Sequence, residues 1–152
     1  MFKIAVACDP NAEEMKQIII EVCRSLGHGV IDFGGKDPIY ANVAIKVAEY
    51  VVSKKADRGI LICGTGIGMC IAANKVNGAY AALITNVYSA ERAIKSNNSN
   101  IACLGAFTLG EKLAEQLITK WLSCEYVMGS PSEPKIQRIK EYEYQNEFLH
   151  SN

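Results

Sequence analysis

Apolar residues recur along this chain with two alternating periods. Short apolar runs, the mark of buried strands, fall at Lys3–Cys8, Val30–Phe33, Gly59–Cys63, Ala79–Ile84 and Ile101–Leu104. Between them lie longer stretches in which apolar residues return every three or four positions. Asn11–Leu26 carries Met15, Ile18, Ile19, Val22, Cys23 and Leu26 on one stripe, closed by Gly27 and Gly29. Ala41–Ser53, Gly68–Val76, Ser89–Ser96 and Gly110–Cys124 are further predicted helices, and Gly34–Pro38 and Met128–Pro134 are loops. Strands alternating with helices of this length predict right-handed βαβ units and an α/β fold on a five-stranded parallel sheet. A charged helical tail follows, from Lys135 to Phe148. Its apolar positions (Ile136, Ile139, Tyr142, Phe148) are too sparse for a core. It is expected to pack on a neighbouring surface, such as that of another subunit.

Composition narrows the function classes. The 152 residues suit one domain, 1–152, with 135–152 as its tail. Sixteen Lys and Arg balance sixteen Asp and Glu, so neither nucleic acid nor an anionic membrane is an expected partner. A phosphorylated small molecule needs only a local positive site. The opening run stops at Asp9 without a signal-peptide pattern, and no stretch is long enough to span a bilayer, so a soluble, cytoplasmic protein is expected. The six cysteines include no CxxC pair and no Cys/His cluster, which argues against zinc. Most read as buried, reduced core residues.

Ligands of open parallel sheets bind at the carboxyl ends of the strands. Three segments are expected there: Cys8-Asp9, Cys63-Gly64-Thr65-Gly66-Ile67-Gly68, and Ser96-Asn97-Asn98-Ser99-Asn100. In the second, alternating glycines let backbone N–H groups converge on one concavity ahead of a helix, which suits a phosphate or an enolate oxygen. It has neither the dinucleotide-binding spacing nor the P-loop lysine. Cys63 sits at its mouth, where a thiol ionises readily enough to act as base or nucleophile; a buried strand-end cysteine is the competing reading. Asp9 reads either as a turn cap or as an acceptor for a sugar hydroxyl. Ser96–Asn100 reads either as a polar helix-ending loop or as part of a site. His28 and His150 read as solvated.

The run GILICGTGIGMCIAANKVNGAYAAL (Gly59 to Leu83) resembles the signature of the ribose-5-phosphate isomerase B and galactose-6-phosphate isomerase family. IAVACD, DFG, Tyr40, SAERA, NSNIACLG and the helix from Leu109 to Trp121 extend the resemblance over most of the chain. It implies a Rossmann-like three-layer sandwich, assembled as homodimers or tetramers with active sites between subunits. It implies an aldose-ketose isomerase of the ribose 5-phosphate type, in which the Cys63 thiolate moves a proton between carbons 1 and 2. Backbone N–H groups of Gly64, Gly66, Ile67 and Gly68, with Thr65, would hold the enediolate oxygen. Asp9 and Asn97 would hold sugar hydroxyls, Tyr40 would line the site, and Arg138 would bind the phosphate from a neighbouring subunit. No metal or organic cofactor is implied.

The departures are equally specific. Pro10 follows Asp9 where a His is usual, and Ser96 stands where the ring-opening His is usual. Phe107 replaces an Arg of many members, and Pro134-Lys135 replaces an Arg-His pair. Three explanations fit: an open-chain tetrose phosphate substrate, a paralogous partner chain that completes a galactose-6-phosphate-type site, or pentose chemistry with other groups, such as the Lys135 charge and a relay through Ser96. A non-catalytic sugar-phosphate binding subunit is the alternative of another class.

Overall fold

The structure is a computed structural model and describes residues 1–149; His150 and the side chain of Phe148 lie outside the described residues. Five parallel strands, β1 (Lys3–Cys8), β2 (Gly29–Asp32), β3 (Arg58–Cys63), β4 (Ala81–Leu83) and β5 (Ile101–Gly105), form one sheet in the order β2-β1-β3-β5-β4. Six helices join and cover them: α1 (Glu13–Ser25), α2 (Tyr40–Val52), α3 (Ile67–Ala73), α4 (Val87–Lys95), α5 (Glu111–Ser123) and α6 (Glu133–Leu149). The result is the three-layer α/β sandwich that the periodicity and the resemblance imply.

The strand alternation sorts the two faces. Ile4, Val6, Ile60, Ile62, Ala102 and Leu104 meet α1, α4 and α5. Ala5, Ala7, Leu61, Cys63 and Cys103 meet α2 and α3. On this second face small residues let helices come close. A methyl group on Gly59 would touch Val47 at 3.0 Å and Val51 at 3.2 Å, both on α2. Every residue of β3 is buried, as a central strand covered on both faces requires.

Several boundaries differ from expectation for local reasons. Asp9 and Pro10 start a short 3-10 turn, Pro10–Ala12, before α1 begins. The helix α6 starts at Glu133, because Pro134 falls in a first turn whose N–H groups lack helical partners anyway. The strand β4 is shorter than Ala79–Ile84. Asn74 beside it donates to the Ala81 carbonyl at 2.9 Å and accepts the Ala81 N–H at 2.8 Å, so a side-chain amide covers part of this edge.

The tail is tied first to its own chain. Ile136 is buried. Glu143 accepts from the Tyr80 hydroxyl at 2.6 Å and from the Gly78 N–H at 3.2 Å. Ile139 and Tyr142 remain exposed. At the same end of the sheet Arg58, nine-tenths buried, donates to the carbonyls of Trp121 and Cys124, both at 2.9 Å, and so fixes the end of α5. The rings of Phe2 and Trp121 lie 4.3 and 5.0 Å from its guanidinium carbon.

Candidate active site

The order of the strands brings the first two candidate segments together. The ladder pairs Cys8 with Ile62 and Cys63 with Gly105, so the carboxyl ends of β1, β3 and β5 are neighbours. The Asp9 N–H donates to the Ile62 carbonyl at 3.0 Å, which sets Asp9 beside Cys63. This is where β1's two neighbours, β2 and β3, diverge, the crevice in which such sheets hold ligands.

Cys63 ends β3 and is 4% exposed. The chain then turns through Gly64, Thr65 and Gly66 into α3. Gly66 has φ +77°, and a Cβ there would lie 2.9 Å from the carbonyl carbon and oxygen of Leu104, so only glycine fits. This conformation aims the Gly66 N–H at Cys63 Sγ, 3.1 Å away. A donor so placed can stabilise negative charge that develops on sulfur. The Ile67 N–H donates to Thr65 Oγ1 at 3.3 Å, and Thr65 itself is exposed. Ile67 therefore uses its N–H within the loop, and the groups that remain for an anion are those of Gly64, Thr65 and Gly68.

Two aromatic side chains flank the loop. Tyr40, at the start of α2, lies against Gly68; a methyl group there would come within 2.6 Å of the Tyr40 hydroxyl. Phe107 lies against Gly64, where a methyl group would be 2.9 Å from its ring. Sequence reasoning marked Phe107 only as the place of a missing cation. Gly105 is a second residue it passed over: a Cβ there would press on the Thr65 carbonyl at 2.7 Å, so this glycine gives the loop its room.

Asp9 is 7% exposed and accepts from the Asn11 N–H at 3.0 Å and the Asn11 amide at 3.4 Å. The turn-cap reading thus holds, and Asp9 also stands at the site. His28, expected to be solvated, is half-buried and accepts the Phe2 N–H at 3.1 Å at the amino end of β1 and β2, the opposite end of the strands from Cys63.

Ser96–Asn100 does not lie where it was expected. It precedes β5, so it sits at the amino end of that strand, about 13 Å of extended chain from the end that adjoins Cys63. Ser99 and Asn100 lock the fold there. Ser99 accepts the Trp121 indole N–H at 3.0 Å, and Asn100 bonds the Tyr80 N–H at 2.8 Å and the Gly78 carbonyl at 2.9 Å. Asn97 is exposed at the end of α4. Arg138 is exposed on α6, which is bonded to Gly78 and Tyr80 just ahead of β4, and its guanidinium carbon is 6.0 Å from the Tyr142 ring. One chain therefore brings Asp9, Tyr40, Cys63 and the glycine loop together, but not Asn97 or Arg138. A groove of about 1010 Å³, lined by Lys75, Tyr80, Tyr142 and Glu143, also lies at that far end.

The other thiols differ sharply. Burial and a hydrogen bond to Glu13 push Cys8 up to about 12, and burial pushes Cys23 to about 12. A hydrogen bond with Cys103 lowers Cys70 to about 7 against the effect of burial, and the same contact raises Cys103, which is the more deeply buried of the two. No group of ligand side chains able to hold a metal ion occurs among the described residues. No helix among them is long and apolar enough to cross a membrane.

Comparison with known proteins adds independent findings. The profile described as Ribose/Galactose Isomerase matches residues 4–139. The D-erythrulose-4-phosphate isomerase of Pectobacterium atrosepticum is 44% identical over 149 residues, covering 95% of this chain and 97% of that protein. The ribose-5-P isomerase B of Listeria innocua is 42% identical over 147 residues, covering 95% and 99%. The solved structure of Clostridium thermocellum ribose-5-phosphate isomerase B superposes with a TM-score of 0.89 at 38% identity, covering 95% of this chain and 99% of that one.

Proposed function

Because the chain belongs to the ribose/galactose isomerase family and is a sugar-phosphate aldose-ketose isomerase, we propose that Cys63 is its base and that its substrate is an open-chain tetrose phosphate. The observation that carries the first half is the Gly66 N–H pointing at Cys63 Sγ from 3.1 Å at the mouth of the glycine turn. The thiolate removes the proton from carbon 2 of the aldose, leaving an enediolate. The resulting thiol returns that proton to carbon 1, while the proton on the carbon 2 hydroxyl passes to the carbon 1 oxygen. Because Gly66 and Ile67 use their N–H groups inside the loop, those of Gly64, Thr65 and Gly68 hold the enediolate oxygen. Preorganised donors of this kind are each worth about 10²–10³ in rate.

The second half rests on what stands at position 96. A furanose must be opened by an acid before its carbon 2 proton can be taken. Ser96 is no such acid, and the chain has only two imidazoles, His28 and His150. A tetrose 4-phosphate cannot close to a furanose, since the oxygen that would attack is esterified, so it needs no opening. The similarity to an isomerase named for erythrulose 4-phosphate supports this reading.

Asn97 and Arg138 then act in a second copy of the chain, where the far end of one sheet meets the Cys63 end of another. The enzyme works in the cytoplasm, where thiols such as Cys63 stay reduced. The test is turnover of four-, five- and six-carbon aldose phosphates by the pure chain and by Cys63→Ala. Turnover of erythrose 4-phosphate, lost by about 10³ or more in the variant at unchanged thermal stability, is expected. Preference for ribose 5-phosphate would overturn the substrate, and turnover surviving in Cys63→Ala would overturn the base. Mixing Cys63→Ala with Arg138→Ala tests the shared site. Each should be inactive alone, and a re-equilibrated equimolar mixture should regain about a quarter of the wild-type rate, since about half of the dimers are mixed and one of the two sites in each of those is intact.

A further inference from the structure

Phe107 is a large apolar side chain left 72% exposed beside the residue read here as the base. Its position is fixed by backbone rather than by its ring. The Ala106 N–H donates to the Cys63 carbonyl at 2.8 Å, and the Phe107 N–H donates to the Gly64 carbonyl at 2.9 Å. The same turn is closed on itself, with the Thr108 and Leu109 N–H groups reaching the Gly105 carbonyl at 3.2 and 3.1 Å. Leu109 anchors it in the core. The turn therefore cannot move independently of Cys63.

The ring lies on Gly64, whose missing Cβ makes the contact possible: ring carbons stand 2.9 and 3.0 Å from where that Cβ would be. Tyr40 covers Gly68 at the other end of the loop and is 42% exposed. A ligand reaching Cys63 is thus flanked by two aromatic walls. The Phe107 wall is uncharged and offers no hydrogen-bond donor, so it accepts the C–H face of a short carbon chain and gives nothing to a phosphate or to additional hydroxyls. A ligand that covers it also removes an exposed apolar surface from water.

We infer that Phe107 is a specificity-determining residue whose ring contacts the bound sugar phosphate next to the reacting carbons and limits the length of its carbon chain. The inference rests on the reading of Cys63 as the base. It does not depend on which sugar the wild-type chain prefers, because it concerns a ratio.

The experiment measures kcat/KM for erythrose 4-phosphate and ribose 5-phosphate with wild type, Phe107→Leu and Phe107→Trp, together with thermal stability and oligomeric mass. The smaller side chain should raise the five-carbon to four-carbon ratio by about tenfold, and the larger one should lower it by a similar factor, at unchanged mass. A ratio within about twofold of wild type in both variants overturns the inference. So does a fall in mass with both substrates losing activity in parallel, which would make the ring a subunit contact. If one variant fails to fold, the other, of opposite size, decides. Failure of the underlying reading shows separately, as turnover persisting in Cys63→Ala.

Discussion

Replacing Gly66 by alanine separates backbone strain from collision at the centre of the site. At φ +77° an alanine adopts a left-handed conformation costing about 1–2 kcal/mol. Its methyl group would also lie 2.9 Å from the backbone carbonyl of Leu104 and 2.7 Å from Leu83 Cδ1. Leu83 can rotate away, but Leu104 is held in the β3–β5 ladder, so the loop must move instead. Overpacking of this kind adds about 1–3 kcal/mol. The total, about 2–5 kcal/mol, corresponds at this chain length to a fall in Tm of roughly 4–20 °C. Gly27→Ala is the matched control: φ is +83° and nothing lies within 4 Å of the new methyl group, so it carries strain alone. Gly110→Ala has neither burden, since its φ is −74° and its surroundings are open. Urea and thermal unfolding of the three variants should rank them Gly66, Gly27, Gly110 in decreasing cost. Because the Gly66 N–H is the donor to Cys63 Sγ, kcat should fall by about 10²–10³ in the first variant only. Equal stability of the Gly66 and Gly27 variants, with activity retained in both, would refute the account of the loop.

Arg58→Met removes two charge-assisted hydrogen bonds to the end of α5 and should cost about 2–4 kcal/mol in urea unfolding, a loss that Arg58→Lys recovers only in part. A cost below about 0.5 kcal/mol would show that the end of α5 holds without it. Iodoacetamide at about pH 8 should label half-buried Cys70 and leave Cys8, Cys23 and Cys103 untouched by mass spectrometry. Labelling of Cys70 should fade as pH drops below about 7, where the thiolate is protonated. Glu143→Ala cuts the bonds from α6 to Tyr80 and Gly78, so trypsin should cleave at Lys135, Arg138 and Lys140 faster than in wild type while the rest of the chain stays intact. Unchanged cleavage would mean that Ile136 and the Asn77–Glu147 hydrogen bond seat the helix without Glu143.

Much of this was legible in the residues themselves. The periods of two and 3.6 mark the strands and helices because burial on one face or two is a local demand on side-chain order. The glycine turn after Cys63 was equally plain, since alternating glycines between an apolar run and a helical stripe mark a tight turn, although the left-handed bend of Gly66 against Leu104 shows only in the fold. Polarity misled at Ser96–Asn100. In a parallel sheet whatever precedes a strand lies at its amino end, and two of these residues serve the fold by holding Trp121 and the start of β4. The insertion of β5 between β3 and β4 was beyond local reading. It rests on pairing between segments about forty residues apart in sequence, where loop-closure cost changes only slowly with distance and so scarcely discriminates among partners. That choice sets Gly105 beside Cys63 and carries Phe107 onto Gly64. Residue order alone specifies the chemistry available, a thiol at the mouth of a turn of backbone donors. Which side chains wall that thiol depends on strand order in the folded chain, as does the placing of Asn97, after α4, and Arg138, on α6, at the far end of the sheet, where one chain does not bring them to it.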